Sequence, residues 1–304
     1  MWFTQAKIYH YQWDGVADLD QGLMDAALKP CPPHARSAFG WLPVMDDQFV
    51  HTVAGCMRVC LGQEERLLPR SVIAAHVNER IKNLEIQRGY PVKRAEKAQM
   101  SEEVEFELLP KAFCVQKKTY ALLDSVQQLL IINTTSENQA TQVIGALRQA
   151  IPDLHIEPLT CPENLAQRFA HWMLHPSMLP ANMQLASDCR LMALDDENKK
   201  LTCKGYDWPA EEILTLLHQG LVVQELSLIW NERIHLTLSH DLTLKRLKCQ
   251  DYLLDDFAEA RQEEGEAQQA DASLAILAGE LRSLWADLFT GVQTCEPLPV
   301  PCEV

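Results

Sequence analysis

The 304-residue chain holds ten cysteines but no C-x-x-C pair, which removes zinc modules and thioredoxin-like motifs. It has no G-x-S-x-G, G-x-G-x-x-G or G-x-x-x-x-G-K-[ST] string, so nothing signals serine-hydrolase, dinucleotide or P-loop chemistry. No paired-carboxylate string stands out, so an enzyme acting on DNA is disfavoured and no cofactor is expected. There is no run of about 18 apolar residues to span a bilayer. The opening "MWFTQAKIYHYQW" carries Lys7 and His10 without an apolar block followed by small residues, so a signal peptide is not expected. Positive charge is also scarce: 27 Lys and Arg face 42 Asp and Glu, a formal net charge of -15. A folded cytosolic protein without a membrane partner is expected. Its scattered cysteines, mostly inside apolar stretches, read as reduced and buried.

The charge is unevenly spread. Residues 58–118 hold 12 Lys/Arg against 9 Glu, whereas residues 251–304 hold 2 Arg against 12 Asp/Glu. The first 68 residues read as strands with a helix around "DLDQGLMDAAL". In "LLPRSVIAAHVNERIKNLEIQR", Ile73, Val77, Ile81 and Leu84 recur at helical spacing, and Gly89-Tyr90-Pro91 stops the helix. A second helix carries Met100, Val104 and Leu108 on one face and ends at Pro110, which cannot donate the next helical hydrogen bond. The pair lies between "LLPR" at 67–70 and "LLPK" at 108–111, and each helix has one narrow apolar stripe, so a projecting two-helix finger is expected.

Next, "TYALLDSVQQLLIINTTS" predicts two strands and "ENQATQVIGALRQAI" a helix. "DWPAEEILTLLHQG" predicts a helix with Asp207 as N-cap, Pro209, Glu211 and Glu212 in its first turn and Gly220 as its stop. "VVQELSLIWNERIHLTLSHDLTLKRLK" predicts an antiparallel meander with turns at Asn231-Glu232 and His240-Asp241. The tail predicts an acidic helical stretch, then a helix face of Leu274, Leu277, Leu281, Leu284 and Leu288. "PLPVPCEV" reads as extended or frayed. The fold class is therefore α+β, with mixed antiparallel sheets and helices. The expected parts are a central region (1–68 and 112–165), a helical finger (69–111) and a base (166–304).

The third strand of the meander holds a basic knot, "LTLKRLKC", with Lys245, Arg246 and Lys248. Taken alone, such a run is more often a solvated edge that discourages strand pairing. It has company in Lys93, Arg94 and Lys97 on the finger and in Lys111, Lys117 and Lys118 beyond it. Dispersed cations neutralise phosphates without reading bases, so the fitting partner is a nucleic-acid backbone. A net charge of -15 permits this only if basic and acidic groups occupy different surfaces. His171 and His175 in "HWMLH" have half-site spacing for a metal, but Trp172 stands where a metalloprotease needs Glu, so no metal is expected.

"MWF", "GWLPVM" at 40–45, "LLPRSVIAAHVNERIKNLE", "ELLPKAF" and "LTLKRLKC" resemble, in order and spacing, the recombination-associated RdgC family. The resemblance covers residue 1 to about 290. It implies a horseshoe-like protomer and a homodimeric ring around duplex DNA, with single strands as a further partner, bound without sequence preference. It also implies a nucleoid-associated protein that limits access of RecA to DNA. By the same resemblance Phe113 sits where two finger regions meet, against its plain reading as a core aromatic. The loop "CKGYD" keeps Lys204, the DNA contact the resemblance implies there, but departs from the family's polar, basic pattern at Gly205 and Tyr206. Leu277, Leu281, Leu284 and Leu288 are expected to form a larger base contact between protomers, because a long apolar helix face seldom stays exposed. The rival expectation is a non-catalytic adaptor that uses the acidic C-terminal helix and no DNA.

Overall fold

The computed structural model describes residues 2–13, 15, 18–160, 164–180, 182–193, 199–206, 208, 210–260 and 265–293. It is an α+β protein with two antiparallel sheets and eight α-helices among the described residues.

The first sheet contains β1 (Lys7–Gln12), β2 (Ser37–Leu42), β3 (His51–Val53), β4 (Cys56–Arg66), β5 (Cys114–Asp124), β6 (Leu129–Ile132) and β7 (His155–Pro158). Its order is β2-β4-β5-β6-β1-β7, with β3 on β4. Alternation divides its side chains between two cores. Val59, Leu61, Ala121 and Leu123 pack beneath α1 (Leu19–Asp25) and α4 (Glu137–Ala150), while Ile8, Leu122, Leu129 and Ile131 join the larger core on the other face. Both helices begin on a side-chain cap: Asp18 accepts from the Gln21 N–H and Ser136 from that of Gln139.

The connection between β4 and β5 is a two-helix hairpin over the residues expected to form the finger. The two strands pair without a break from Cys56↔Asp124 to Arg66↔Cys114, and α2 (Arg70–Arg88) and α3 (Arg94–Leu108) leave from the open end. Gly89, at φ +72°, closes α2 by donating to the Glu85 carbonyl, a conformation that suits glycine because it has no Cβ. Pro110 lies in a single 3-10 turn, Leu109–Lys111, at the end of α3. Ile73, Val77, Ile81, Val92 and Val104 form a small core of their own. Each is worth roughly 1.5–3 kcal/mol of burial, so the finger stands on few contacts. Its root is fastened by Arg66, whose guanidinium donates to the carbonyls of Leu109 (3.2 Å), Ala112 (3.3 Å) and Cys31 (3.1 Å). Beside it Arg36 pairs with Glu105 at 2.6 Å and Phe106 stacks on His34.

The second sheet has the order β12-β11-β10-β8-β9, formed by β8 (Met183–Met192), β9 (Lys200–Cys203), β10 (Val222–Trp230), β11 (Ile234–Ser239) and β12 (Leu244–Cys249). Its inner face and α5 (Leu165–Leu174), α6 (Glu211–His218), α7 (Asp251–Ala260) and α8 (Glu266–Gln293) complete the larger core. The meander turns as expected at Asn231 and Glu232, both at positive φ. Helix α6 starts later than the sequence suggests, with Ala210 as its N-cap. Asp207 and Pro209, expected in the cap and first turn, lie outside the described residues, as do the acidic stretch 261–264 and the terminal "PLPVPCEV".

One expectation is overturned. Leu277, Leu281, Leu284 and Leu288 are 0–3% exposed and pack in the chain's own core, with Leu274 beside them. The apolar face of α8 is consumed in folding and has no surface left for a second protomer. Polar contacts hold the same helix to the first sheet: Arg282 grips the buried Asp124 carboxylate at 2.8 and 2.9 Å, and His51 meets Asp271 at 2.6 Å.

Candidate nucleic-acid interface

On β12, Leu244 and Leu247 are buried, whereas Lys245, Arg246 and Lys248 point outward. Strict two-residue alternation would put Leu247 on the same side as Lys245 and would turn Arg246 into the core. A bulge prevents this. Thr237 pairs with Lys245 and His235 with Lys248, so three steps along β12 match two along β11. Arg246 takes the extra place at φ +52°. That left-handed backbone costs about 1–3 kcal/mol in a non-glycine residue. Burying Leu247 returns roughly 1.5–3 kcal/mol, and burying an unpaired guanidinium would cost more. The strain is the smaller cost.

Cross-strand register extends the face. Thr237 pairs with Ser227, Glu225 with Arg190, and Arg190 with Thr202, so these side chains share the outer surface. Ser227 and Thr237 are covered and hydrogen-bond each other at 2.8 Å. Arg190 donates to Oε1 of Glu225 at 3.0 Å, Lys245 donates to the same oxygen at 2.9 Å, and Arg246 lies 3.5 Å from the Asp188 carboxylate. Lys248 is exposed and makes no ion pair among the described residues. Lys204, just past β9, lines the same recess as Arg190 and Arg246. Its loop is pinned: the Gly205 N–H donates to Asp188 at 3.1 Å, and the Tyr206 N–H to the Ser187 carbonyl at 3.1 Å. The face thus combines Arg190, Lys204, Lys245, Arg246 and Lys248 with two carboxylates.

The remaining expected cations lie elsewhere. Lys93, Arg94 and Lys97 are exposed on the first turns of α3 and make no ion pair among the described residues, while their neighbours Arg88 and Glu96 pair at 2.9 Å. Glu96 is held below the usual carboxylate range by the Lys93 N–H and Arg88. Lys111 is exposed at the finger root. Lys117 and Lys118 are consecutive on β5 and so project to opposite faces. Lys117 pairs with Glu65 at 2.5 Å, and Lys118 shares its side with Tyr120 and Cys60. The two cannot serve one flat surface together.

Phe113 is 84% exposed, which excludes the core-aromatic reading. Its carbonyl accepts from the Leu67 N–H at 2.7 Å, at the corner where the β4–β5 hairpin opens into the finger. Among the described residues, 114–119 beside it have a neighbour strand on one side only, since β6 pairs with β5 from Ala121 to Asp124. The rings of His171 and His175 lie 4.8 Å apart, and among the described residues no group of three or more His, Cys, Asp or Glu is placed to hold a metal ion.

Comparison with known proteins adds the decisive observation: the family model described as "Putative exonuclease, RdgC" matches residues 1–294. The chain belongs to the RdgC family. Proteins named "Recombination-associated protein RdgC" from Yersinia pestis (strain Pestoides F) and Yersinia pseudotuberculosis (serotype O:1b, strain IP 31758) are each 30% identical over 295 residues, which is 95% of this chain and 97% of theirs. The Proteus mirabilis (strain HI4320) protein of that name is 29% identical over 293 residues, 93% of this chain and 95% of its own. The RdgC family model carries a nuclease description, while these RdgC relatives are named for recombination.

Neither Arg190 nor the two carboxylates stood out in the sequence. The only local signal for Arg190 is its place opposite in phase to Cys189 and Leu191 in an alternating strand. Its membership of the basic face depends on pairing with Glu225, 35 residues away.

Proposed function

We propose that this RdgC-family chain is a non-catalytic protein that binds duplex DNA, and single-stranded DNA too, through the outer face of the five-stranded sheet without reading bases. The single observation that carries this reading is the bulge at Arg246, which gathers Lys245, Arg246 and Lys248 on one face beside Arg190 and Lys204. Cations spread over a sheet fit phosphates, and among the described residues no helix is presented as a base reader there. The proposed parts are the central region (1–68 and 112–165), the finger (69–111) and the base (166–304). Two horseshoe-like copies would close into a ring with Phe113 at one contact, a reading supported by its exposure beside the open edge of β5. The second contact must come from a base surface other than the leucine face of α8. A closed ring on DNA would limit RecA access in the nucleoid. The test is a salt series on short duplexes of unrelated sequence: binding should fall with log-log slope of about -0.9 per phosphate contacted and differ little among sequences. Salt-independent binding, or a preference above about a thousandfold, would refute the reading.

One observation favours a second reading, a protein-interaction adaptor. Helix α7 exposes Tyr252 (70%) and Leu254 (52%) beside Asp251 and Asp255. An interface built on that apolar pair would respond weakly to salt.

A further inference from the structure

We infer that Glu225 is a built-in rival of the DNA phosphates, a carboxylate that holds the cations of the sheet face in place and at the same time keeps their hold on DNA weaker than their number would give. The inference rests on the DNA-binding reading above and specifies how that site is tuned.

Glu225 lies on β10, within the face, with only 11% of its side chain exposed. A carboxylate so covered must be paired, because leaving it alone out of water is costly. Its partners come from both directions: Arg190 on β8 at 3.0 Å and Lys245 on β12 at 2.9 Å, both donating to the same oxygen, Oε1. An arriving phosphate would seek those same donors. At the rim, Asp188 does the same on a smaller scale, 3.5 Å from Arg246 while accepting from the Gly205 N–H. Three of the five cations on the face are thus engaged by carboxylates before any ligand arrives, leaving Lys204 and Lys248 without an ion pair among the described residues. This arrangement has two opposite consequences. It fixes long side chains, which lowers the entropy lost on binding, and it cancels charge, which weakens counterion release. Glu225 is nearly buried and cannot swing into solvent to vacate its place, so the cancellation persists in the complex. The second consequence therefore dominates. A protein that is to remain on DNA without choosing a sequence gains from weak, uniform phosphate contacts.

Glu225→Gln separates the two consequences, since the amide keeps the volume and one acceptor oxygen but loses the charge. The measurement is fluorescence anisotropy of the full chain on a short labelled duplex across a salt series, with thermal unfolding of each variant as a control. Removing one negative charge from between Arg190 and Lys245 should tighten binding on the order of tenfold at about 50 mM salt and steepen the log-log slope by about 0.9. Asp188→Asn, at a partly exposed rim position, should shift both in the same direction by less, and it decides the matter if Glu225→Gln does not fold. If the wild type binds with a salt slope and folded Glu225→Gln binds equally or more weakly, Glu225 is only a positioning residue and the inference is overturned. Failure of the underlying reading looks different: the wild type itself would bind no duplex or bind it without salt dependence, and both proposals would fall.

Discussion

Two regions carry three closely spaced cations each and are built in opposite ways. On β12, Lys245, Arg246 and Lys248 stand on a sheet whose other side is the larger core, aligned by a bulge and partly tied to Glu225 and Asp188. On the finger, Lys93, Arg94 and Lys97 stand at the start of α3, without an ion pair among the described residues, on a helical pair that shares a core of five buried residues. Equal charge therefore does not mean an equal setting. Under the proposed phosphate contact, the sheet offers cations already held by carboxylates, whereas the helical pair offers cations without an ion pair among the described residues. The finger's own ion pairs, Arg36–Glu105, Arg88–Glu96 and Arg80–Glu107, hold the helices to each other and to the body and engage none of its three other cations.

The sharpest way to break this contrast is at the two cores. Leu281→Ala should cost about 2–5 kcal/mol, because it empties a fully enclosed site. It should lower the midpoint of chemical denaturation for the whole chain. Ile81→Ala should instead raise hydrogen exchange over residues 70–108 with little change elsewhere, since its cluster is separate. Global unfolding by Ile81→Ala would mean the finger is integral to the main core.

Next in size is the charge comparison. Replacing Lys245, Arg246 and Lys248 together by Ala should weaken duplex binding similarly on all sequences and flatten the salt slope by up to about 2.7. The matching replacement of Lys93, Arg94 and Lys97 should do less. Equal losses in anisotropy titrations would put both clusters on one continuous DNA path.

A third variant tests the corner between the regions. Phe113→Ala should leave stability nearly unchanged, because the ring is solvent-exposed, but weaken protomer closure by on the order of 2 kcal/mol. The wild type should be retained longer on circular than on linearised plasmid at high salt, and the variant should lose that difference. Full retention by the variant would remove Phe113 from the closing contact.

The smallest effect concerns acid. Glu96, Glu105 and Glu107 are held below the usual carboxylate range, by the Lys93 N–H with Arg88, by Arg36 and by Arg80 respectively. A carboxylate with a depressed folded-state pKa stabilises above its unfolded pKa, and that support is lost as pH falls through the folded value. The finger should therefore lose exchange protection below the ordinary carboxylate range. Such exposed pairs are individually weak. Protection that increases on acidification would contradict the assignment.

Local order was legible wherever neighbours in sequence decide it. Spacing of Ile73, Val77 and Ile81 set the inward face of α2, Gly89 and Pro110 bounded the finger helices, and Asn231-Glu232 set the hairpin turn. The family motifs were likewise contiguous. The alternation around "LTLKRLK" identified a strand but not its phase, and the leucine row of α8 identified an apolar face but not its partner.

Sequence by itself determined the finger helices, α4, the meander and the C-terminal apolar helix, because periodicity, capping and turn preferences act over a few residues, but it left β7, α5, β8 and β9 unassigned. Only the tertiary structure decided that Leu277 to Leu288 belong to the chain's own core, since an apolar face does not name what covers it. It alone brought Arg190, Asp188 and Glu225 beside the basic knot, because strand pairing joins residues far apart in the chain. And it alone turned Arg246 outward: the bulge exists because the larger core accepts Leu247 and excludes a guanidinium, a choice made across β11 and invisible within five letters of sequence.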